Sequence, residues 1–253
     1  MRIIHRLEDQ GSFLFRWRSF LPLLLIPIAV PAIFEAARIE SMIGEELDDK
    51  LNFACFAISM IGLLLRAITV GFVPSGTSGR NTSEQRANSL NVTGLYSIVR
   101  NPLYLGNFIV AFGIVLSLKT WWFVALFGMA YWLYIERIIA VEEAYLSAKF
   151  GKEYDDWAAV TPCFFPRFSL WRAPAESFSL RTVLRREYNG VLVVVLTYLF
   201  LDGITDTIAA NETVAQWASR DYLWLGIAAV GISTFFLLRT LKKKTRVLHA
   251  PGR

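Results

Sequence analysis

A chain of 253 residues that is 55% hydrophobic, with a mean hydropathy of +0.43, is too apolar for an ordinary soluble domain. Its net charge of +5 requires no nucleic-acid partner, because a basic membrane protein keeps Lys and Arg in loops beside an anionic leaflet. Two cysteines give no disulfide framework, and His5 and His249, both near the ends, argue against a histidine-based metal site.

Crossing a bilayer takes about 20 apolar residues, and the sequence offers six candidates: 18–37, 51–73, 103–118, 121–141, 188–204 and 222–239. The first has no small-residue cleavage site and reads as a retained helix, kinked by Pro22, Pro27 and Pro31. Before it lie Arg2, Arg6, Arg16 and Arg18; after it comes an acidic loop with Glu35, Glu40, Glu45, Glu46, Asp48 and Asp49. Arg80, Arg86 and Arg100 follow the second span, and a basic tail starts at Arg239. This alternation predicts both termini in the cytoplasm. Only Lys119 and Thr120 separate the third and fourth candidates, which predicts an antiparallel hairpin. Its cytoplasmic ends, Arg100–Gly106 and Glu136–Glu143, are therefore neighbours. Asp202 and Asp206 border a short acidic loop and read as solvated, while "FFPRFSLW" (164–171) reads as interfacial.

The third span opens on Arg100, Asn101 and Pro102. Asparagine suits an N-cap and proline the first helical position, and the free amides of that turn favour an anion. Gly106 and Gly113 share the Pro102 face and permit close approach by a helix or a flat ligand. Alone, this pattern describes a capped, tightly packed helix. The stretch "YWLYIERIIAVEEAYLSAKFGKEYDDW" (131–157) adds Glu136, Glu142, Glu143 and Arg137 at the end of a span. Such charges are costly there unless paired, solvated or in use.

Together, Arg100, Pro102, Tyr104 and Gly106 with Glu142, Glu143, Leu146, Phe150, Gly151 and Tyr154 resemble the isoprenylcysteine carboxyl methyltransferase family and the related phospholipid methyltransferases, over roughly 94–166. The resemblance implies an all-α, polytopic membrane helix bundle: about six transmembrane helices in one domain, 1–253. The family-like core would span about 51–170 and an extra C-terminal helical hairpin about 185–241. It implies an S-adenosyl-L-methionine-dependent methyltransferase of the inner (cytoplasmic) membrane, with its site facing the cytoplasm. The chain also has no Gly-x-Gly strand–helix fingerprint. By the same resemblance Asn101, Pro102, Tyr104, Leu105 and Gly106 line the cofactor. Glu142 or Glu143 takes its ribose hydroxyl or ammonium, and Arg100 with Glu143 forms the catalytic pair.

Two departures bear on the acceptor. Asn101 stands where the family usually has histidine, so no proton can be transferred at that position. The arginine that usually precedes a Val-Pro pair is absent around Val160, and Arg167 comes later. The acceptor expected here is a membrane lipid or lipid-modified substrate, O-methylated on an anionic phosphate or carboxylate held by Arg66 and Arg167. The alternatives are a prenylcysteine carboxylate, a phospholipid amine, an NADPH-dependent membrane reductase with a similar helical body, and a non-enzymatic component or transporter.

Overall fold

The structure is a computed structural model that describes residues 10–11, 13–17, 20–74 and 87–250. Arg2, His5, Arg6, Arg18, Arg80 and Arg86 lie outside the described residues. The protein is all-α and polytopic. Its helices are α1 (Ile26–Ile43), α2 (Glu45–Gly71), α3 (Pro102–Ser117), α4 (Trp121–Phe150), α5 (Lys152–Val160), α6 (Leu180–Ala209), α7 (Val214–Arg220) and α8 (Tyr222–Lys244). Among the described residues the only β-type pairing is an isolated bridge between Gly94 and Arg172.

Among the described residues four helices, α2, α4, α6 and α8, are long and apolar enough to cross a membrane, and α3 is a shorter apolar helix. The first candidate span differs from expectation. A 3-10 turn covers Leu21–Leu25, and α1 starts only at Ile26, with Pro27 in its first turn and Pro31 inside. Glu35, Arg38 and Glu40 then fall within the helix, which dilutes its apolar run. α4 runs well past the predicted 121–141. Its 30 residues reach about 45 Å at 1.5 Å per residue, longer than a hydrocarbon layer of about 30 Å, and Glu142 and Glu143 sit about 30 Å from its start. The 16 residues of α3 reach only about 24 Å.

The turn between α3 and α4 is as short as the sequence suggests. Lys119 adopts φ +57, a left-handed conformation uncommon outside glycine, and its ammonium reaches Asp48 at 2.7 Å and Asn52 at 3.2 Å. α2 and α3 pack closely through glycines: a Cβ at Gly62 would lie 2.7 Å from both the Gly106 carbonyl and the Val110 nitrogen. Two apolar clusters fill the bundle. One joins α1, α3, α4 and α6 through Ala32, Ala36, Val115, Phe123, Phe127 and Leu201. The other joins α2, α6 and α8 through Cys55, Leu63, Val194, Tyr198 and Trp224, with Trp224 stacked on Phe53.

Polar contacts also tie α6 to α2 along its length. Asn52 donates to Asp202 at 3.2 Å, Ser59 meets the Tyr198 hydroxyl at 3.0 Å, and Arg66 pairs with Glu187. Asp202 and Asp206 are thus buried, at 2% and 4% exposure, rather than solvated. The inward face of α6 carries them against Asn52 and, at 3.7 Å, Arg220. Glu40 is buried at the same end of the bundle, and its Oε2, like Asp202 Oδ2, has no hydrogen-bond partner among the described residues.

Candidate functional site

The α3–α4 hairpin brings its two open tips together. Tyr104, in the first turn of α3, donates its hydroxyl to Glu142 Oε1 at 2.7 Å. Arg100, just before α3, pairs through Nη2 with Glu143 Oε1 at 3.2 Å and donates through Nη1 to the Ala158 carbonyl. Tyr131 on α4 donates to the Tyr104 carbonyl at 2.7 Å and so fixes the separation of the two helices. Pro102, Leu105 and Gly106 are buried beside these contacts. Glu136, one heptad before Glu143, is exposed and apart from them.

Asn101 does not cap α3 as the sequence suggests. Its side-chain amide turns away from the helix and donates to the Cys163 carbonyl at 3.1 Å and, at 3.6 Å, to the Cys163 sulfur. The loop after α5 competes for this side chain, and Asn101 leaves α3 without a side-chain N-cap. That loop lies across the hairpin mouth. Gly151, at φ +54, supplies the left-handed corner at which α5 departs from α4. The chain then returns so that Arg100 N–H meets the Pro162 carbonyl and Arg167 N–H meets the Ile98 carbonyl, each at 2.9 Å. Arg172 N–H reaches the Ser97 hydroxyl, and Trp157 donates to the Tyr96 carbonyl.

Arg66 and Arg167 are placed differently. Arg66 lies behind Gly106 with its guanidinium engaged by Glu187 and Asn107. Arg167 is exposed on the covering loop. The sequence did not point to Tyr131, Asn107, Cys163 or Glu187. Tyr131 stands in the quoted α4 stretch, three residues before Tyr134, and a tyrosine-rich helix beside a charged tip was a usable signal. No local pattern marks the other three.

Cys163 sits against Arg100, Asn101 and Glu143, and burial followed by the Glu143 charge pushes its thiol above its ordinary pKa, opposed by Arg100 and Asn101. The thiolate is the reactive form. Iodoacetamide should therefore alkylate Cys163 more slowly than a free cysteine at pH 7, with a rate still climbing above pH 9. Glu143→Gln should speed the reaction at fixed pH; mass spectrometry of the modified peptide reads both.

Residues 56–153 match the phospholipid methyltransferase family. The cobalt-zinc-cadmium resistance protein CzcN of Cupriavidus metallidurans is 30% identical over 152 residues, 57% of this chain and 68% of that protein. The chain belongs to the phospholipid methyltransferase family. The nickel-cobalt-cadmium resistance protein NccN of Alcaligenes xylosoxydans xylosoxydans is 32% identical over 126 residues, 50% of this chain and 56% of that protein. A protein-S-isoprenylcysteine O-methyltransferase of Schizosaccharomyces pombe is 30% identical over 131 residues, 46% of this chain and 56% of that protein. The chain thus spans little more than half the length of NccN and of the yeast methyltransferase. No solved structure matches it. The segment matching the phospholipid methyltransferases holds Arg66, Arg100, Tyr104, Glu142 and Glu143, whereas Cys163, Arg167 and Glu187 lie beyond it. Among the described residues no group of three or more His, Cys, Asp or Glu side chains is arranged to hold a metal ion.

Proposed function

We propose that the protein is an S-adenosyl-L-methionine-dependent methyltransferase of the inner (cytoplasmic) membrane, with six spans and with both termini and the α3–α4 mouth facing the cytoplasm. Its acceptor is a membrane lipid or lipid-modified substrate bearing an anionic phosphate or carboxylate, which it O-methylates. One observation carries this reading: the cross-helix pairs Tyr104–Glu142 and Arg100–Glu143 join the two tips inside the family-matched segment.

The residues present fit the cofactor's chemistry. Its carboxylate suits the positive N-terminal end of α3, which the Asn101 side chain does not cap, and its ammonium or ribose hydroxyls suit Glu142 or Glu143. Among the described residues the buried Arg100 Nε has no hydrogen-bond partner, so the mouth retains a donor for a ligand. When bound, the cofactor supplies an electrophilic methyl on a sulfonium. The chain's own residues then do the positioning. Tyr131 locks the Tyr104 backbone, Glu142 fixes the Tyr104 ring, and the loop from Thr161 to Arg172 keeps water from the mouth. Arg167, exposed on that loop, offers the acceptor a cation. Arg66 would contribute only as a fixed donor whose charge Glu187 already balances.

An acceptor that is already anionic needs no general base. Asn101 cannot serve as one, and Cys163 is held in its thiol form. The test supplies methyl-labelled S-adenosyl-L-methionine to membranes carrying the protein. Label should enter the lipid extract and be lost with Glu143→Gln. Label confined to protein would count against a lipid acceptor, and no label with no affinity for S-adenosylhomocysteine would end the enzyme reading.

A further inference from the structure

Arg66 stands on α2 inside the family-matched segment, and Glu187 stands on α6 outside it. Arg66 Nε donates to Glu187 Oε2 at 2.8 Å and Nη2 to Oε1 at 3.0 Å, while Nη1 donates to Asn107. The two side chains are 16% and 5% exposed. A two-point carboxylate grip fixes the plane of a guanidinium as well as its place, which a single contact does not.

What lies under that guanidinium matters for the site. The aliphatic stem of Arg66 rests on Gly106, where a Cβ would meet Arg66 Cγ at 2.6 Å and the Gly62 carbonyl at 3.1 Å. Gly106 and Asn107 directly follow Tyr104 and Leu105. One continuous path therefore runs from Glu187 through Arg66 to the turn that presents Tyr104 to Glu142. Tyr96, in the loop before α3, reports the same proximity. Its phenol pKa is raised by burial and then by Glu142, and is opposed by Arg186 and Arg66. Arg66 thus acts electrostatically on the same phenol as the cradle carboxylate.

We propose that Glu187 is a positioning residue of the methyltransferase site: by holding Arg66 against Gly106 and Asn107, it sets the opening turns of α3 at the spacing from α4 that the cofactor cradle needs. The inference rests on the methyltransferase reading. It makes the C-terminal helices part of the working site rather than an added anchor. Removing the charge of one partner leaves the other buried and unpaired, which lowers stability, whereas Arg66→Lys keeps the charge and alters the grip alone. In Arg66→Lys the effect should therefore appear in cofactor binding more than in melting.

The test measures S-adenosylhomocysteine binding by calorimetry and thermal melting on the purified full chain. Glu187→Gln keeps the side chain's shape and removes its charge; Arg66→Lys keeps the charge and removes the two-point grip. Both should weaken binding about tenfold, with melting changed little in Arg66→Lys and lowered in Glu187→Gln, and Glu187→Asp, a shorter carboxylate, should fall between them and the wild type. Wild-type affinity in both variants would overturn the proposal alone. In Arg66→Lys, a melting temperature that falls in step with affinity would mark a purely structural contact and also overturn it. No binding by the wild type would overturn the methyltransferase reading first, and this proposal with it.

Discussion

Glu143→Gln is expected to weaken S-adenosylhomocysteine binding by one to two orders of magnitude while the helices stay assembled. The Glu143 carboxylate faces Arg100 at 3.2 Å, and the two side chains are 29% and 18% exposed, so neither water nor protein fully surrounds the pair. Partial exposure weakens its Coulombic contribution to folding. Binding differs, because a cofactor closing over the mouth removes the remaining water and makes the carboxylate's hydrogen bonds count. A hydrogen bond to a charged group contributes about 1.5–3 kcal/mol, or roughly tenfold to a hundredfold in affinity. Calorimetry on the purified variant reads the change directly. An unchanged dissociation constant would remove Glu143 from the site and leave its pairing with Arg100 as a structural detail.

Gly62→Ala should lower stability markedly. The added carbon would sit 2.7 Å from the Gly106 carbonyl and from the Val110 nitrogen, both backbone atoms of α3 that no rotamer can move aside. The helices must separate, and overpacking of this kind costs about 1–3 kcal/mol, more where backbone shifts. Because the displaced helix carries Tyr104, cofactor affinity should fall along with the melting temperature. Gly128 provides the comparison: nothing lies within 4 Å of a Cβ there, so Gly128→Ala should melt like the wild type. If the two variants melted alike in detergent, the close packing of α2 on α3 would not be what holds the bundle at that point.

The parts of the site readable from sequence are those close along the chain or set by period. Two residues between apolar runs force a hairpin, and a hairpin places Arg100–Gly106 beside Glu142 and Glu143; no side-chain detail is needed. The details that escaped depend on competition across long separations. Asn101 looks like a cap until a loop carbonyl 62 positions away takes its amide. Arg66 could pair, snorkel or bind a phosphate, and its partner Glu187 lies 121 positions on, in a helix whose orientation sequence alone does not give. Asp202 and Asp206 looked solvated because they border a loop, yet the face on which they fall is decided by how α6 packs on α2. The start of α1 was misplaced because an apolar run containing three prolines shows where a helix is possible, not where its hydrogen bonds begin.

Burying acids at the end of the bundle away from Arg100 has a consequence for how the protein is made. A translocating segment carrying an aspartate meets a penalty of about 2.5–3.5 kcal/mol at the bilayer centre, less toward its ends. α6 carries two, and Asn52, which donates to one oxygen of Asp202, belongs to a helix synthesised long before it. The last hairpin should therefore settle stably only onto an earlier core already in the membrane. Chains lacking α2 should leave α6 stranded and exposed to membrane proteases, so biogenesis should run strictly from the N-terminal helices to the C-terminal ones.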